Sequence, residues 1–238
     1  MKKVICQDYN ELSIEAAKLI AEQIWYKPDS VLGLSTGATP LGLYKELIKM
    51  YESDEIDFSQ VTTFNLDEYY RISPENPQSY RYYMMENLIK HINIKPENFN
   101  IPNGNTDFVA AECERYDELM DRAGGIDLQI LGLGVNGHIG FNEPASELDT
   151  KTHLTGLKQE TIDANARFFN DVKDVPTHAI TVGMSSILKS KKVVILISGK
   201  NKSKIVKEIL KGEITTSVPA TLLHLHSDAT LLVEKGVV

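Results

Sequence analysis

The chain has 238 residues, 42% of them hydrophobic, with 25 basic and 33 acidic side chains for a net charge of −8. That length suffices for one large core, and no Pro/Gly/Ser-rich linker divides it, so residues 1–238 are read as a single domain. The acidic balance argues against a nucleic-acid surface, which draws on many Lys/Arg phosphate contacts, and the longest aliphatic run, Val193 to Ile197, is too short to span a bilayer.

The N-terminus carries two lysines but no apolar core of signal-peptide length, so the expected location is cytoplasmic. From there apolar runs and helix-length segments alternate. Lys3 to Cys6 reads as a strand, and Asn10 to Gln23 has the spacing of an amphipathic helix. Ser30 to Leu34 and Gln60 to Asn65 are the next strands, with a helix over Leu41 to Tyr51 between them. Helices over Ser79 to His91 and Ala110 to Ala123 lead to a buried strand over Ile126 to Leu133. Asn142 to Asp174 has weak periodicity and is expected to be a long functional loop holding one short helix. Strands over Ala179 to Val182, Lys192 to Ile197 and Thr230 to Val233 follow, with a helix over Lys202 to Leu210. This alternation predicts an α/β fold: an open, mostly parallel, Rossmann-like sheet with helices on both faces. Cys6 and Cys113 stand in unrelated contexts, which favours neither a disulfide nor a metal site.

Three strand ends carry the polar residues of interest. After Leu34 the chain reads Ser35, Thr36, Gly37, Ala38, Thr39 and Pro40 before a helix. Small residues, hydroxyls and the first free N–H groups of a helix together make a candidate anion site. It lacks the GK[ST] of a nucleotide-binding loop and the GxGxxG of a dinucleotide fold. Thr62 to Tyr70 (TTFNLDEYY) ends the next strand with Asp67 and Glu68. Adjacent strand residues face opposite ways, so at most one of these carboxylates enters a given pocket. Facing a cleft lined by Phe64, Tyr69 and Tyr70, it would have a raised pKa and could serve as a base. Leu131 to Pro144 (LGLGVNGHIGFNEP) places His138 and Glu143 beside a glycine-rich turn at a strand's carboxyl end, where open α/β sheets bind ligands.

STGATP, FNLDEYY and GVNGHIGFNEP occur in that order, joined by NPQSY at Asn76 to Tyr80, NARFF at Asn165 to Phe169, AITVG at Ala179 to Gly183 and an LHLH segment ending at His226. On these stretches the chain closely resembles the glucosamine-6-phosphate deaminases. The resemblance implies conversion of glucosamine 6-phosphate and water to fructose 6-phosphate and ammonia, with no cofactor and no metal. It implies His138 as the group that opens the sugar ring, Glu143 as its carboxylate partner, and Asp67 as the base that moves the C2 proton to C1. It also implies a phosphate site made of Ser35, Thr36, Gly37, Ala38 and Thr39 with Arg167 and Lys202.

Two features depart from the family pattern, one at Asn136 and one at the pair His153 and Thr155. Some members have Asp where this chain has Asn136, and an amide orients His138 by hydrogen bonding without supplying charge. Allosteric members bind N-acetylglucosamine 6-phosphate with a basic pair whose positions here are His153 and Thr155, and they have a C-terminal extension that this chain lacks after Val233. Activation by that ligand is therefore not expected. Other readings are a galactosamine-6-phosphate deaminase, a 6-phosphogluconolactonase sharing the fold and phosphate loop, and a non-catalytic sugar-phosphate sensor. The sensor reading needs a DNA-binding segment, for which the residues before Val31 leave no room. The expected partner is the small-molecule substrate, with neither nucleic acid nor membrane, in a monomer or a homo-oligomer.

Overall fold

The computed structural model describes residues 1–169 and 171–238. Its strands are β1 (Lys2–Cys6), β2 (Val31–Leu34), β3 (Thr62–Asn65), β4 (Asp67–Tyr69), β5 (Phe99–Asn100), β6 (Leu128–Gly132), β7 (His153–Gly156), β8 (His178–Thr181), β9 (Lys192–Ile197) and β10 (Ala229–Glu234). The α-helices are α1 (Tyr9–Tyr26), α2 (Leu41–Glu52), α3 (Tyr80–Asn87), α4 (Val109–Arg122), α5 (Gln159–Asn165), α6 (Met184–Lys189) and α7 (Ser203–Leu210).

Seven strands form one parallel sheet in the order β1-β10-β9-β6-β2-β3-β5. Its central strands are near-continuous runs of Val, Ile and Leu because both faces are covered. Leu32, Leu34, Ile130, Val194 and Leu196 pack on one face against α1, α2 and α3 through Leu12, Ile20, Leu43, Leu47 and Met84. Leu131, Val193, Ile195 and Ile197 pack on the other face against α4, α6 and α7 through Met120, Ile187, Val206 and Ile209. At the amino end of the sheet the buried Asp127 accepts from the Val31 amide at 2.8 Å and pairs with Lys27 and Lys191, each at 2.6 Å.

The helix caps follow from local sequence. Asp8 accepts from the Glu11 amide at the start of α1, and Ser79 accepts from the Tyr82 amide at the start of α3. The predicted helix over Ser79 to His91 is shorter than expected. It stops at Asn87 because Leu88 leaves helical geometry (φ −147°), and a 3₁₀ turn continues over Ile89–His91.

The strand over Ala179 to Val182 lies in a different layer from the expected one. As β8 it is the middle of a second, antiparallel sheet in the order β4-β8-β7, with Asp67 opposite Thr181 and His153 also opposite Thr181. β4, β5, β7 and α6 were not among the predicted elements. The long loop over Asn142 to Asp174 holds the expected short helix, α5, but also β7.

From β2 the sheet grows outward through β3 to β5, whereas β6, β9 and β10 lie on the opposite side of β2. The order therefore switches between β2 and β6, and crevices at such points are where open α/β sheets take their ligands.

Candidate active site

A cavity of about 720 Å³ opens at the carboxyl ends of β2, β3 and β6, bordered on one side by residues 161–167. All three polar stretches found in the sequence meet there. Ser35, Thr36, Gly37, Ala38 and Thr39 line it, as do Asp67, His138, Arg167 and Lys202.

The turn after β2 bends at Gly37, whose φ of 101° is a conformation that favours glycine. The turn runs into the amino end of α2, a favourable place for an anion. Ser35 Oγ is buried and has no hydrogen-bond partner among the described residues. On the opposite wall, Lys202 donates Nζ to the Leu133 carbonyl. Burial, with the positive charge of Arg167 adding to it, lowers the Lys202 pKa to about 8. Two cations that raise each other's energy in this way favour an anion beside them.

His138 sits at the end of the Gly134–Gly137 turn. A Cβ on Gly134 would lie 2.3 Å from the imidazole ring, so only glycine lets the ring pack so close to the strand end. His138 Nδ1 is 3.3 Å from Glu143 Oε2. Glu143 also accepts from Asn136 Nδ2 at 2.8 Å and from Thr161 Oγ at 2.5 Å. Burial alone would raise the Glu143 pKa, but His138, Thr161 and Asn136 outweigh it and hold the value at about 2. The carboxylate is thus ionised and committed to His138 Nδ1, which leaves Nε2 for a ligand. Asn136 meets His138 only through the backbone, its Oδ1 accepting from the His138 amide at 3.2 Å. The hydrogen bonding expected between Asn136 and His138 is thus made at the His138 backbone, while the amide nitrogen of Asn136 is turned to Glu143.

Asp67 is 7% exposed. Burial, reinforced by the neighbouring Glu68 charge, raises its pKa to about 8. Its neighbour turns away: Glu68 accepts from the amides of Tyr69 and Tyr80 at 2.9 Å and of Arg81 at 2.8 Å, closing the first turn of α3. One carboxylate of the pair lines the cavity and the other holds a helix end, as the alternation of a strand requires. The aromatic wall differs from expectation. Tyr80 and Phe141 line the cavity, stacked 6.0 Å apart, and Tyr69 packs on Tyr80 from behind. Phe64 points into the core against Tyr116, and Tyr70 carries Arg71 over its ring. Neither Phe64 nor Tyr70 borders the cavity.

Thr161, on α5, carries no sequence signal, since nothing local marks one threonine of a polar helix as a partner of a distant carboxylate. Its hydroxyl lies 3.4 Å from His138 Nδ1 as well as on Glu143. His153 and Thr155 stand on β7, away from this cavity. His153 lines a separate depression of about 710 Å³ together with Glu114, Asp117, Glu118 and Asp121 of α4, and its Nε2 is 3.6 Å from Asp149.

Residues 7–232 match the family model described as glucosamine-6-phosphate isomerases/6-phosphogluconolactonase. The chain is 56% identical over 235 residues to a glucosamine-6-phosphate deaminase of Thermoanaerobacter sp. (strain X514), spanning 99% of this chain and 93% of the relative. It is 55% identical to the glucosamine-6-phosphate deaminase of Halothermothrix orenii, spanning 99% and 98%. Among solved structures, a monomeric glucosamine-6-phosphate deaminase superposes with a TM-score of 0.98 at 47% identity, covering 100% of this chain and 98% of the other. The 6-phosphogluconolactonase of Thermotoga maritima shares the fold at 22% identity, with a TM-score of 0.78 and 98% of each chain covered.

Proposed function

The chain belongs to the glucosamine-6-phosphate isomerase/6-phosphogluconolactonase family, and on that premise we propose that it converts glucosamine 6-phosphate and water to fructose 6-phosphate and ammonia. The observation that carries this reading is the shared cavity. His138, backed by the ionised Glu143, and a separately buried carboxylate, Asp67, face a space bounded by an anion-binding turn and two cations.

The phosphate is taken by the Ser35–Thr39 turn with Arg167 and Lys202. This fixes the rest of the sugar toward His138 and Asp67. His138 Nε2 accepts the proton of the anomeric hydroxyl and delivers one to the ring oxygen, opening the ring, while Glu143 supports the imidazolium through Nδ1. Asp67 then takes the C2 proton of the open-chain aldehyde while the C1 oxygen gains a proton given up by the substrate ammonium, giving an enolamine, and Asp67 returns its proton to C1, leaving a protonated imine at C2. Water hydrolyses the resulting C2 imine to the ketone and ammonia leaves. A base whose pKa is about 8 is matched to proton transfer near neutral pH, and the ammonium group of an arriving substrate favours its ionised form. No step calls for a redox cofactor or a metal ion.

The lactonase and sensor readings carry less weight, because the chain's similarity to the lactonases is limited to the fold while its similarity to the deaminases extends over nearly its whole length. The C4 epimer of the amino sugar is assigned as glucosamine on the names of those relatives. A monomer is proposed by likeness to the monomeric deaminase. A cytoplasmic location is proposed with it, and no helix among the described residues is long and apolar enough to cross a membrane. Incubating the purified protein with glucosamine 6-phosphate, galactosamine 6-phosphate and 6-phosphogluconolactone tests the reaction and the epimer. Ammonia and fructose 6-phosphate from the first alone support the reading, and acid release from the lactone without ammonia from either amine overturns it.

A further inference from the structure

The Ser35–Thr39 turn is held by tyrosines that no sequence motif links to it, two of them, Tyr44 and Tyr83, behind the cavity wall and one, Tyr9, at its rim. Tyr44 donates its hydroxyl to the Ser35 carbonyl at 2.5 Å and Tyr83 to the Gly37 carbonyl at 2.7 Å. Tyr9 donates toward the Ala38 and Thr39 carbonyls at 3.1 and 3.0 Å while accepting from the Gly42 amide at 2.8 Å. Three helices, α1, α2 and α3, thus each send one phenol to the same short turn.

In a trans peptide the C=O of one residue and the N–H of the next point in opposite directions. Binding the carbonyls of Ser35, Gly37 and Ala38 on the outer side therefore turns the amides of Thr36, Ala38 and Thr39 the other way. None of these three amides meets an acceptor among the described residues. The same geometry removes carbonyl oxygens, which would repel an anion, from the surface that the turn presents to the cavity. Burial pushes the Tyr44 and Tyr83 phenols above their usual range, so both stay protonated as donors.

From this geometry we propose that Tyr9, Tyr44 and Tyr83 are positioning residues that hold the turn in its phosphate-binding form before substrate arrives. The proposal rests on the reading of the turn as the phosphate site. It predicts that the phenols act on affinity, with little influence on the chemical step, because each hydroxyl bonds backbone groups of the turn and of the start of α2 and none bonds His138 or Asp67.

The test uses Tyr83→Phe and Tyr9→Phe, which keep the ring and remove only the hydroxyl, and Tyr116→Phe as a comparison. Tyr116 donates to the Asn65 and Asn100 carbonyls at 2.7 and 3.2 Å and to no carbonyl of the turn, so it reports the loss of a buried tyrosine hydroxyl as such. Inorganic phosphate binding is measured by calorimetry, alongside melting temperature and the steady-state constants for glucosamine 6-phosphate. Tyr83→Phe is expected to weaken phosphate binding about threefold to tenfold and to raise KM similarly with kcat retained, the change following from one lost hydrogen bond, and Tyr9→Phe, which loses its contacts to Ala38, Thr39 and Gly42, at least as much. Tyr116→Phe should melt earlier with phosphate binding unchanged. Unchanged phosphate binding in both turn variants, or equal weakening in Tyr116→Phe, overturns the proposal. Weakened phosphate binding in a protein that releases no ammonia would leave the phenols' role standing and refute the proposed reaction instead.

Discussion

Replacing Asp67 by Asn is expected to abolish turnover and at the same time to stabilise the protein in alkaline solution. Unfolded, this carboxyl ionises near its ordinary value of 3.8; folded, burial and the Glu68 charge move it to about 8. Between those values the native state keeps a proton that the unfolded state has lost, so native stability falls as pH rises through that window. Above it both states are ionised and the whole cost is present, roughly 6 kcal/mol at 1.36 kcal/mol per tenfold change in ionisation. Asn copies the shape of the protonated acid and never ionises. Even half of that cost, once removed, raises the melting temperature of a chain this long by roughly 6 to 12 °C in alkaline buffer. Near the ordinary carboxyl pKa the two proteins should melt together. The same ionisation governs the reaction, so kcat/KM of the wild type should fall tenfold per pH unit below about 8. Melting curves by circular dichroism across pH, with ammonia assays in parallel, check both halves. If Asp67→Asn and wild type melt alike at every pH, Asp67 is not a buried group that ionises at a cost; a variant that keeps turnover removes it from the chemistry.

Lys202 carries its charge only below about pH 8, so phosphate affinity should decline above that value, and Lys202→Met should remove that alkaline dependence from a KM profile. Arg167→Ala should raise KM roughly 10- to 100-fold with a smaller change in kcat, since a charge-assisted contact is worth about 1.5 to 3 kcal/mol; an unchanged KM removes it from the site. Thr161→Val deletes the hydroxyl on Glu143 and should slow ring opening about tenfold or more, read as a lag that depends on the proportion of closed anomer, whereas open-chain substrate analogues should be little affected. N-acetylglucosamine 6-phosphate should neither activate the enzyme nor change the shape of a hyperbolic rate curve, because His153 lies beside Asp149 in a depression where Glu114, Asp117, Glu118 and Asp121 outnumber the single cation Lys151; a sigmoidal curve made hyperbolic by this ligand would refute that.

The parallel sheet and most of its helices were legible because buried strands such as Lys192–Ile197 are continuous aliphatic runs and α1 has a regular apolar face. The second sheet was not. β4 and β7 have only three and four residues, and their ladder partner β8 stands far along the chain, so no local period marks them. The candidate-site residues that sit in glycine-rich turns at strand ends, His138, Glu143 and Ser35–Thr39, could be read because the turn chemistry itself is written in sequence. Residues that act by reaching across the fold could not. Thr161, Glu68 on the first turn of α3, and the three phenols on the Ser35–Thr39 turn become visible only when tertiary contacts are known, and each of these residue types is an ordinary choice for the helix or strand that carries it.

The most direct test of the account follows the C2 proton of glucosamine 6-phosphate in deuterated water by NMR. With wild-type protein the C2 proton signal should disappear in step with the appearance of fructose 6-phosphate and ammonia, and with Asp67→Asn it should persist while the sugar phosphate still binds. Loss of the C2 proton at the wild-type rate in Asp67→Asn, or ammonia release by wild type with the C2 proton retained at that carbon, would contradict it.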